Sequence, residues 1–330
     1  MNKILEVKNL ETNFFGKTEV VKAVRGVSFN IYEGETFGLI GESGCGKSVT
    51  CRSILRLIRD PGKISGGSII YKGRNLLELS EKEMTEYRGK EIGMIFQEPM
   101  SALNPVLTIG EQICEAFKDK ELTKSDKEEK AIEFLKIVGI PSGRQRLKEY
   151  PHQFSGGMKQ RAMMAAVLVS KPKLLLADEP TTSLDVTIQD QILKLINRLK
   201  KEFSMSVLLV THDLGVVAEM CDRVAVMYAG KIMEIADILT LFGEPRHPYT
   251  IGLSKSIPYR GAQSERLHPI KGNPPDLSNP PKGCPFEPRC IYKEKICEEM
   301  LPELKEIKKG HFSRCHFIEK LENEKGLIKL

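Results

Sequence analysis

Gly41-Glu42-Ser43-Gly44-Cys45-Gly46-Lys47-Ser48 has the spacing G-x-x-x-x-G-K-[ST]. It follows Thr36-Phe37-Gly38-Leu39-Ile40, an apolar run that reads as a buried strand, and leads into residues 49–58, whose apolar positions fit a helix. Strand, glycine loop and helix are the context in which this spacing forms a phosphate-binding loop. The glycines let the backbone curl, so that Gly41, Ser43, Gly44, Cys45, Gly46 and Val49 turn N–H groups toward one anion. The start of the following helix adds partial positive charge. Lys47 reaches toward the β- and γ-phosphates, and the Ser48 hydroxyl suits Mg²⁺. A chance glycine turn would lack both flanks.

The chain has 330 residues, which suggests about two domains, and 41% hydrophobic residues supply a sizeable core. A net charge of +6 suits a solvated surface, a nucleic-acid contact or a membrane-facing surface equally. No run approaches the ~20 apolar residues that span a bilayer. At the N-terminus Glu6 interrupts any signal-peptide core. A soluble, cytosolic chain is therefore expected.

Strand-like and helix-like stretches alternate through the first 240 residues, which argues for an α/β fold with a largely parallel sheet. Residues 109–169 are helical throughout and read as an insertion. From about Phe242 onward prolines recur, from Pro245 to Pro281, and no long helix survives that density. Residues 243–330 are expected to be an irregular appended region.

Other stretches complete the chemistry. Leu174-Leu175-Leu176-Ala177-Asp178-Glu179 is an apolar strand ending in two carboxylates. After a phosphate loop, Asp178 suits Mg²⁺ and Glu179 suits a general base for water. Gln97 and His212 each follow a strand and could touch the metal, the water or the γ-phosphate; a strand-end amide and a loop histidine are the plainer readings. In Phe154-Ser155-Gly156-Gly157-Met158-Lys159-Gln160-Arg161, Ser155 caps a helix and the glycines bare its N–H groups. That is a second anion site. One nucleotide rarely needs two, so this site is expected to serve a nucleotide bound to another subunit.

Together these motifs resemble those of the nucleotide-binding subunits of ATP-binding cassette (ABC) transporters: the P-loop at 41–48, Gln97, the signature at 154–158, Walker B at 174–179, the D-loop Ser183-Leu184-Asp185 and His212. The segment Gln97-Glu98-Pro99-Met100-Ser101-Ala102-Leu103-Asn104-Pro105, the signature with Met158, and the tail stretches 247–253 and 283–290 are similar to the D-type subunits of oligopeptide and dipeptide importers. The resemblance implies a P-loop NTPase cassette over 1–242, with mixed sheets and a helical subdomain at about 100–169, followed by a small metal-binding extension over 243–330. It implies ATP and Mg²⁺ held with Ser48, Gln97 and Asp178, and catalysis by Glu179, His212 and Gln97. It also implies a head-to-tail dimer with a paralogue or second copy, in which Ser155, Gly156, Gly157 and Met158 face the partner's nucleotide, with Asp185 in the D-loop. Two membrane-spanning permeases, an external binding protein and a place on the cytoplasmic face of the cell membrane go with it. An aromatic, Phe14 or the adjacent Phe15, stacks on adenine in that family; strand core is the plainer reading.

Cys284, Cys290, Cys297 and Cys315 stand in a C-x5-C-x6-C-x17-C pattern. Four thiolates hold either a [4Fe–4S] cluster or Zn²⁺, and resemblance to the peptide importers favours the cluster. Its expected role is a staple for a region poor in apolar residues, one whose loss spares ATP binding. The rival reading is a soluble ABC protein acting on ribosomes or nucleic acid. The chain has one cassette, no sustained heptads and no N-terminal C-x2-C pattern, so no nucleic-acid partner is expected. Nickel or another solute is the alternative cargo.

Overall fold

The computed structural model describes residues 2–98, 102–117, 121–182, 184–256 and 270–321. In chain order the elements are β1 (Lys3–Phe15), β2 (Val20–Tyr32), β3 (Thr36–Ile40), α1 (Lys47–Ile54), β4 (Gly62–Tyr71), β5 (Arg74–Asn75), α2 (Glu81–Tyr87) and β6 (Ile92–Ile95). There follow α3 (Ile109–Glu115), α4 (Lys124–Ile137), α5 (Gly143–Arg146), α6 (Gly156–Leu168), β7 (Leu174–Asp178), α7 (Val186–Phe203), β8 (Ser206–Thr211) and α8 (Leu214–Met220). The chain closes with β9 (Arg223–Tyr228), β10 (Lys231–Asp237), α9 (Ile238–Gly243), α10 (Pro248–Lys255), α11 (Lys295–Glu299), β11 (Lys305–Lys308) and β12 (His311–Ser313). These form two compact units, interleaved in sequence: Met1–Asn2, Tyr32–Gly34 and Glu78–Val210 make one, and Lys3–Ile31, Glu35–Leu77 and Thr211–Leu330 the other.

In the first unit β6, β7 and β8 lie parallel, with Ile95 opposite Ala177 and Ala177 opposite Leu209. Every residue of these three strands is buried, as expected of parallel strands covered on both faces. Helices α3, α4 and α6 pack on one another, confirming the helical block. Two capping boxes start its helices: Thr108 with Glu111, and Thr123 with Asp126. Helix α7 buries Ile192, Leu195, Ile196 and Leu199, the three- and four-residue spacing of one face. Each such side chain stabilises the fold by roughly 1.5–3 kcal/mol.

In the second unit β3 runs parallel to β9, Phe37 opposite Arg223 and Ile40 opposite Val226. Strand β10 returns antiparallel to β9 around Ala229 and Gly230, the turn read from the sequence. Strands β2, β1, β4 and β5 form a separate four-stranded sheet in that order.

The extension is less irregular than its prolines suggested. Strand β12 pairs antiparallel with β10, Glu234 opposite Ser313 and Ile235 opposite Phe312, and β11 pairs with β12. Buried polar contacts seal this seam: Glu234 Oε1 accepts from the Arg246 amide at 2.6 Å and lies 2.7 Å from His311 Nε2. Among the described residues the longest helix of the extension is the eight-residue α10, and the proline density left room for short strands.

Candidate functional site

In the second unit the glycine loop is shaped by its neighbours. Gly41 has φ +153° and Gly46 φ +106°. A Cβ on Gly41 would lie 2.0 Å from the Met227 carbonyl oxygen, and one on Gly46 2.3 Å from that of Ala23. No other residue fits at either position. With glycine as its N-cap, α1 has no side-chain cap bond at its start, and a helix N-terminus is where anions bind. Lys47 is only 4% exposed, and its Nζ donates to the carbonyls of Gly41 at 2.8 Å and Glu42 at 3.0 Å. Ser43 and Gly44 are exposed, while Ser48 and Val49 are half-buried. The Cys45 thiol is buried, which pushes its pKa up against the lowering effect of Lys47. Its Sγ lies 3.8 Å from Lys47 Nζ, within the loop.

Phe14 and Phe15 close β1. The Phe14 ring lies over Gly62, where a Cβ would meet its Cε1 at 2.7 Å. Phe15 is 47% exposed. His212 is exposed just after β8, and the neighbouring Asp213 caps α8 through bonds from the Gly215 and Val216 amides.

In the first unit β7 delivers Asp178 fully buried and Glu179 half-buried. Glu179 has φ +47°, a left-handed backbone that costs a residue with a side chain about 1–3 kcal/mol and is concentrated at functional sites. Its amide donates to the Val210 carbonyl at 2.9 Å. Its Oε2 accepts from Gln97 Nε2 at 3.0 Å and from Thr182 Oγ1 at 2.9 Å. Ser155 Oγ accepts from the Met158 amide at 3.3 Å and caps α6, with Ser155 and Gly156 exposed and Gly157 and Met158 half-buried. A Cβ on Gly157 would lie 3.1 Å from Ile188 Cγ2 on α7. Asp185 Oδ1 accepts from the Ile188 amide at 2.9 Å and caps α7; Ser183 and the Pro99-Met100-Ser101 part of the segment after Gln97 lie outside the described residues.

Two residues escaped the sequence reading. Thr182 is the second donor to Glu179, and a hydroxyl three positions after a strand-end carboxylate was its only signal. Buried Gln160 donates from Nε2 to the Pro180 carbonyl at 2.6 Å, tying the signature helix to the loop after Glu179. It stood in the quoted signature stretch without an assigned role.

The four C-terminal cysteines are free thiols. They line one cavity of about 20 Å³ together with His247, Phe286 and Phe317. Cys284 donates its amide to the Cys297 carbonyl at 2.8 Å. Burial, reinforced by the neighbouring cysteines, pushes Cys284 up to about 12 and Cys315 up to about 11. Among the described residues no group of three or more His, Cys, Asp or Glu side chains is arranged to hold a metal ion. The metal centre expected from the cysteine spacing is thus not displayed as such: the four cysteines share a cavity without forming a group arranged to hold a metal ion. His316 contacts the Met300 carbonyl at 2.9 Å and His311 contacts Glu234, so both are engaged by protein atoms.

Residues 24–182 match the ABC transporter family model, and residues 233–297 match the oligopeptide/dipeptide transporter C-terminal region. The chain is 51% identical to the dipeptide transport ATP-binding protein DppD of Bacillus subtilis over 92% of this chain and 91% of that one. It is 46% identical to the oligopeptide transport ATP-binding protein OppD of Escherichia coli over 94% and 92%. A solved dimeric structure of the ATP-binding cassette MJ0796, in a post-hydrolysis state bound to ADP and Pi, is similar with a TM-score of 0.63 and 28% identity. It covers 71% of this chain and 98% of that chain.

Proposed function

Because this chain belongs to the ATP-binding subunits of ABC transporters, with the C-terminal region of the oligopeptide and dipeptide type, we propose that it hydrolyses MgATP to power uptake of dipeptides or oligopeptides. Lys47 and the loop amides from Gly41 to Val49 hold the phosphates. Ser48, Gln97 and Asp178 supply the oxygen donors that Mg²⁺ takes. Glu179 draws the proton from the attacking water, and His212 supports the γ-phosphate. Ser155, Gly156, Gly157 and Met158 act on the nucleotide of a second ATPase subunit, paralogue or copy, in a head-to-tail pair, with Asp185 in the D-loop. The carrying observation is the Glu179 carboxylate, fixed by Gln97 and Thr182 on a strained backbone at the end of β7.

The cassette occupies 1–242 and the extension 243–330. No helix among the described residues is long and apolar enough to cross a membrane, so substrate passage is assigned to two permease subunits that this chain joins from the cytoplasmic face. The peptide cargo is supported by the C-terminal match and by the two relatives named above. The extension carries a [4Fe–4S] cluster on Cys284, Cys290, Cys297 and Cys315. What favours it is the donor chemistry alone, four thiols lining one cavity, since the described residues show no group arranged to hold a metal ion. An iron-to-protein ratio near four, with the visible absorption of a cluster, supports this assignment; stoichiometric zinc overturns it.

The test of function is a gentle-detergent pull-down of the tagged chain from its own cells. Recovery of two multi-span proteins and a related ATPase supports the importer, and the accompanying binding protein then identifies the cargo. Recovery with ribosomes or nucleic acid alone overturns it.

A further inference from the structure

We infer that Arg289, carried by the C-terminal extension, is a positioning residue of the nucleotide loop: it holds and neutralises Glu42 so that the loop can accept a polyphosphate. The inference rests on residues 41–48 being the ATP-binding loop.

Glu42 is gripped at three points. Arg289 donates to both carboxylate oxygens, from NH1 to Oε2 at 2.6 Å and from NH2 to Oε1 at 3.0 Å. The Glu42 amide donates to the Tyr249 hydroxyl at 2.9 Å. The Glu42 carbonyl accepts from Lys47 Nζ at 3.0 Å. Arg289 and Tyr249 both come from beyond residue 242, so the extension reaches the second residue of the loop by two independent bonds.

The guanidinium is itself built in. Its side chain is 5% exposed, against 26% for Glu42. It donates from NH1 to the Tyr228 hydroxyl at 3.2 Å, from Nε to the Lys271 carbonyl at 3.0 Å and from NH2 to the Ile270 carbonyl at 3.2 Å. It also stands 5.7 Å from the Tyr228 ring centre. This planar, five-donor geometry is specific to arginine, and lysine would not reproduce it.

The charge logic follows from position. A carboxylate within a loop that gathers N–H groups around phosphates repels the ligand. A bidentate, largely buried guanidinium cancels that charge at its source. The same short turn carries two of the cavity thiols: the Glu287 amide donates to the Cys284 carbonyl at 3.0 Å and the Cys290 amide to the Glu287 carbonyl at 3.1 Å. A staple there would share its turn with the residue that holds Glu42.

The test is a double-mutant cycle on the full chain, read by equilibrium binding of a fluorescent ATP analogue, with circular dichroism confirming the fold. Arg289→Gln is expected to weaken binding about tenfold, because it leaves the Glu42 charge uncompensated beside the phosphates. In a Glu42→Gln background, which no longer carries the charge to be neutralised, Arg289→Gln should cost no more than about twofold. The deficit of Arg289→Gln should shrink in 1 M salt. Equal losses in both backgrounds, or none in either, overturn the inference. Should Arg289→Gln not fold, Glu42→Gln decides alone: a tenfold gain in affinity would mean that the Glu42 charge reaches the nucleotide unmasked, and overturns it too. Lys47→Ala is the separate control. If it abolishes binding while Arg289→Gln has no effect, only the role of Arg289 falls; if it has no effect, the loop assignment itself falls.

Discussion

Gln97 and Glu179 are joined side chain to side chain, Nε2 donating to Oε2 at 3.0 Å. They follow the neighbouring parallel strands β6 and β7, so the bond lies at the carboxyl edge of that sheet, where open α/β folds place ligands. The amide N–H and the Thr182 hydroxyl both address Oε2, which fixes that oxygen at the strand edge. Glu179→Gln should therefore bind ATP like the parent and lose about 10²–10⁴ in kcat, the usual worth of a general base. Gln97→Ala should cost less, about tenfold, because Thr182 still holds the carboxylate. Steady-state turnover beside nucleotide binding separates the two effects; unimpaired turnover in Glu179→Gln would exclude the assigned base.

The two aromatics at the end of β1 differ in what they can do. Phe14 is spent on Gly62, while Phe15 keeps an exposed ring. Phe15→Ala is expected to raise the KM for ATP about three- to tenfold with kcat unchanged, the loss of one stacked base. Phe14→Ala should instead lower stability by about 1–3 kcal/mol, because a half-buried ring loses part of a full core contribution. Thermal melts and KM values on both variants check the division, and the reverse pattern would assign the adenine contact to Phe14.

What was legible in the chain follows from what each residue must do locally. Gly41 and Gly46 could be read because neighbouring backbone admits nothing larger, and Leu174–Asp178 because a strand buried on both faces writes a continuous apolar run. The choice between Phe14 and Phe15 was not legible: the two are adjacent, and which face each takes on β1 is set by its pairing with Gly62 on β4. The β12 strand was missed because three residues carry no period. Arg289 and Glu42 stand 247 positions apart, and no local pattern announces such a pair. The cysteine spacing gave the four thiols that share a cavity, but not that their turn also grips the nucleotide loop.

The signature residues face a different test. Ser155 and Gly156 are exposed at the start of α6, and the Ser155 hydroxyl is committed to one amide, that of Met158. An arginine at Ser155 removes that cap, at a cost of about 1 kcal/mol, and fills the space before the helix N-terminus. Ser155→Arg should leave ATP affinity of the single chain within about twofold, since its own phosphates are held at 41–48, while abolishing ATP-dependent pairing and turnover. Size-exclusion chromatography of Glu179→Gln with and without Ser155→Arg, in saturating ATP, measures this. Intact pairing of the double variant would remove the signature from the interface.

Cys45 offers a pH-dependent check on the same loop. Burial raises its pKa more than Lys47 lowers it, so the reactive thiolate forms only at a pH above the ordinary thiol range, and the folded loop disfavours ionisation throughout. Alkylation of Cys45 by iodoacetamide should be slower than that of a free thiol at pH 7–8 and should climb only on the alkaline side. A helix N-terminus that activated the thiol would give the opposite sign, fast labelling at pH 7 with a plateau at higher pH. Cys45→Ser, which keeps the backbone amide, nearly the same volume and an acceptor for Lys47 Nζ, should then bind ATP within about twofold of the parent. Mass-spectrometric labelling rates across pH, together with that affinity, decide whether the loop uses its cysteine as a reactive group or only as backbone; a tenfold loss in Cys45→Ser would assign the side chain a direct part in holding the nucleotide.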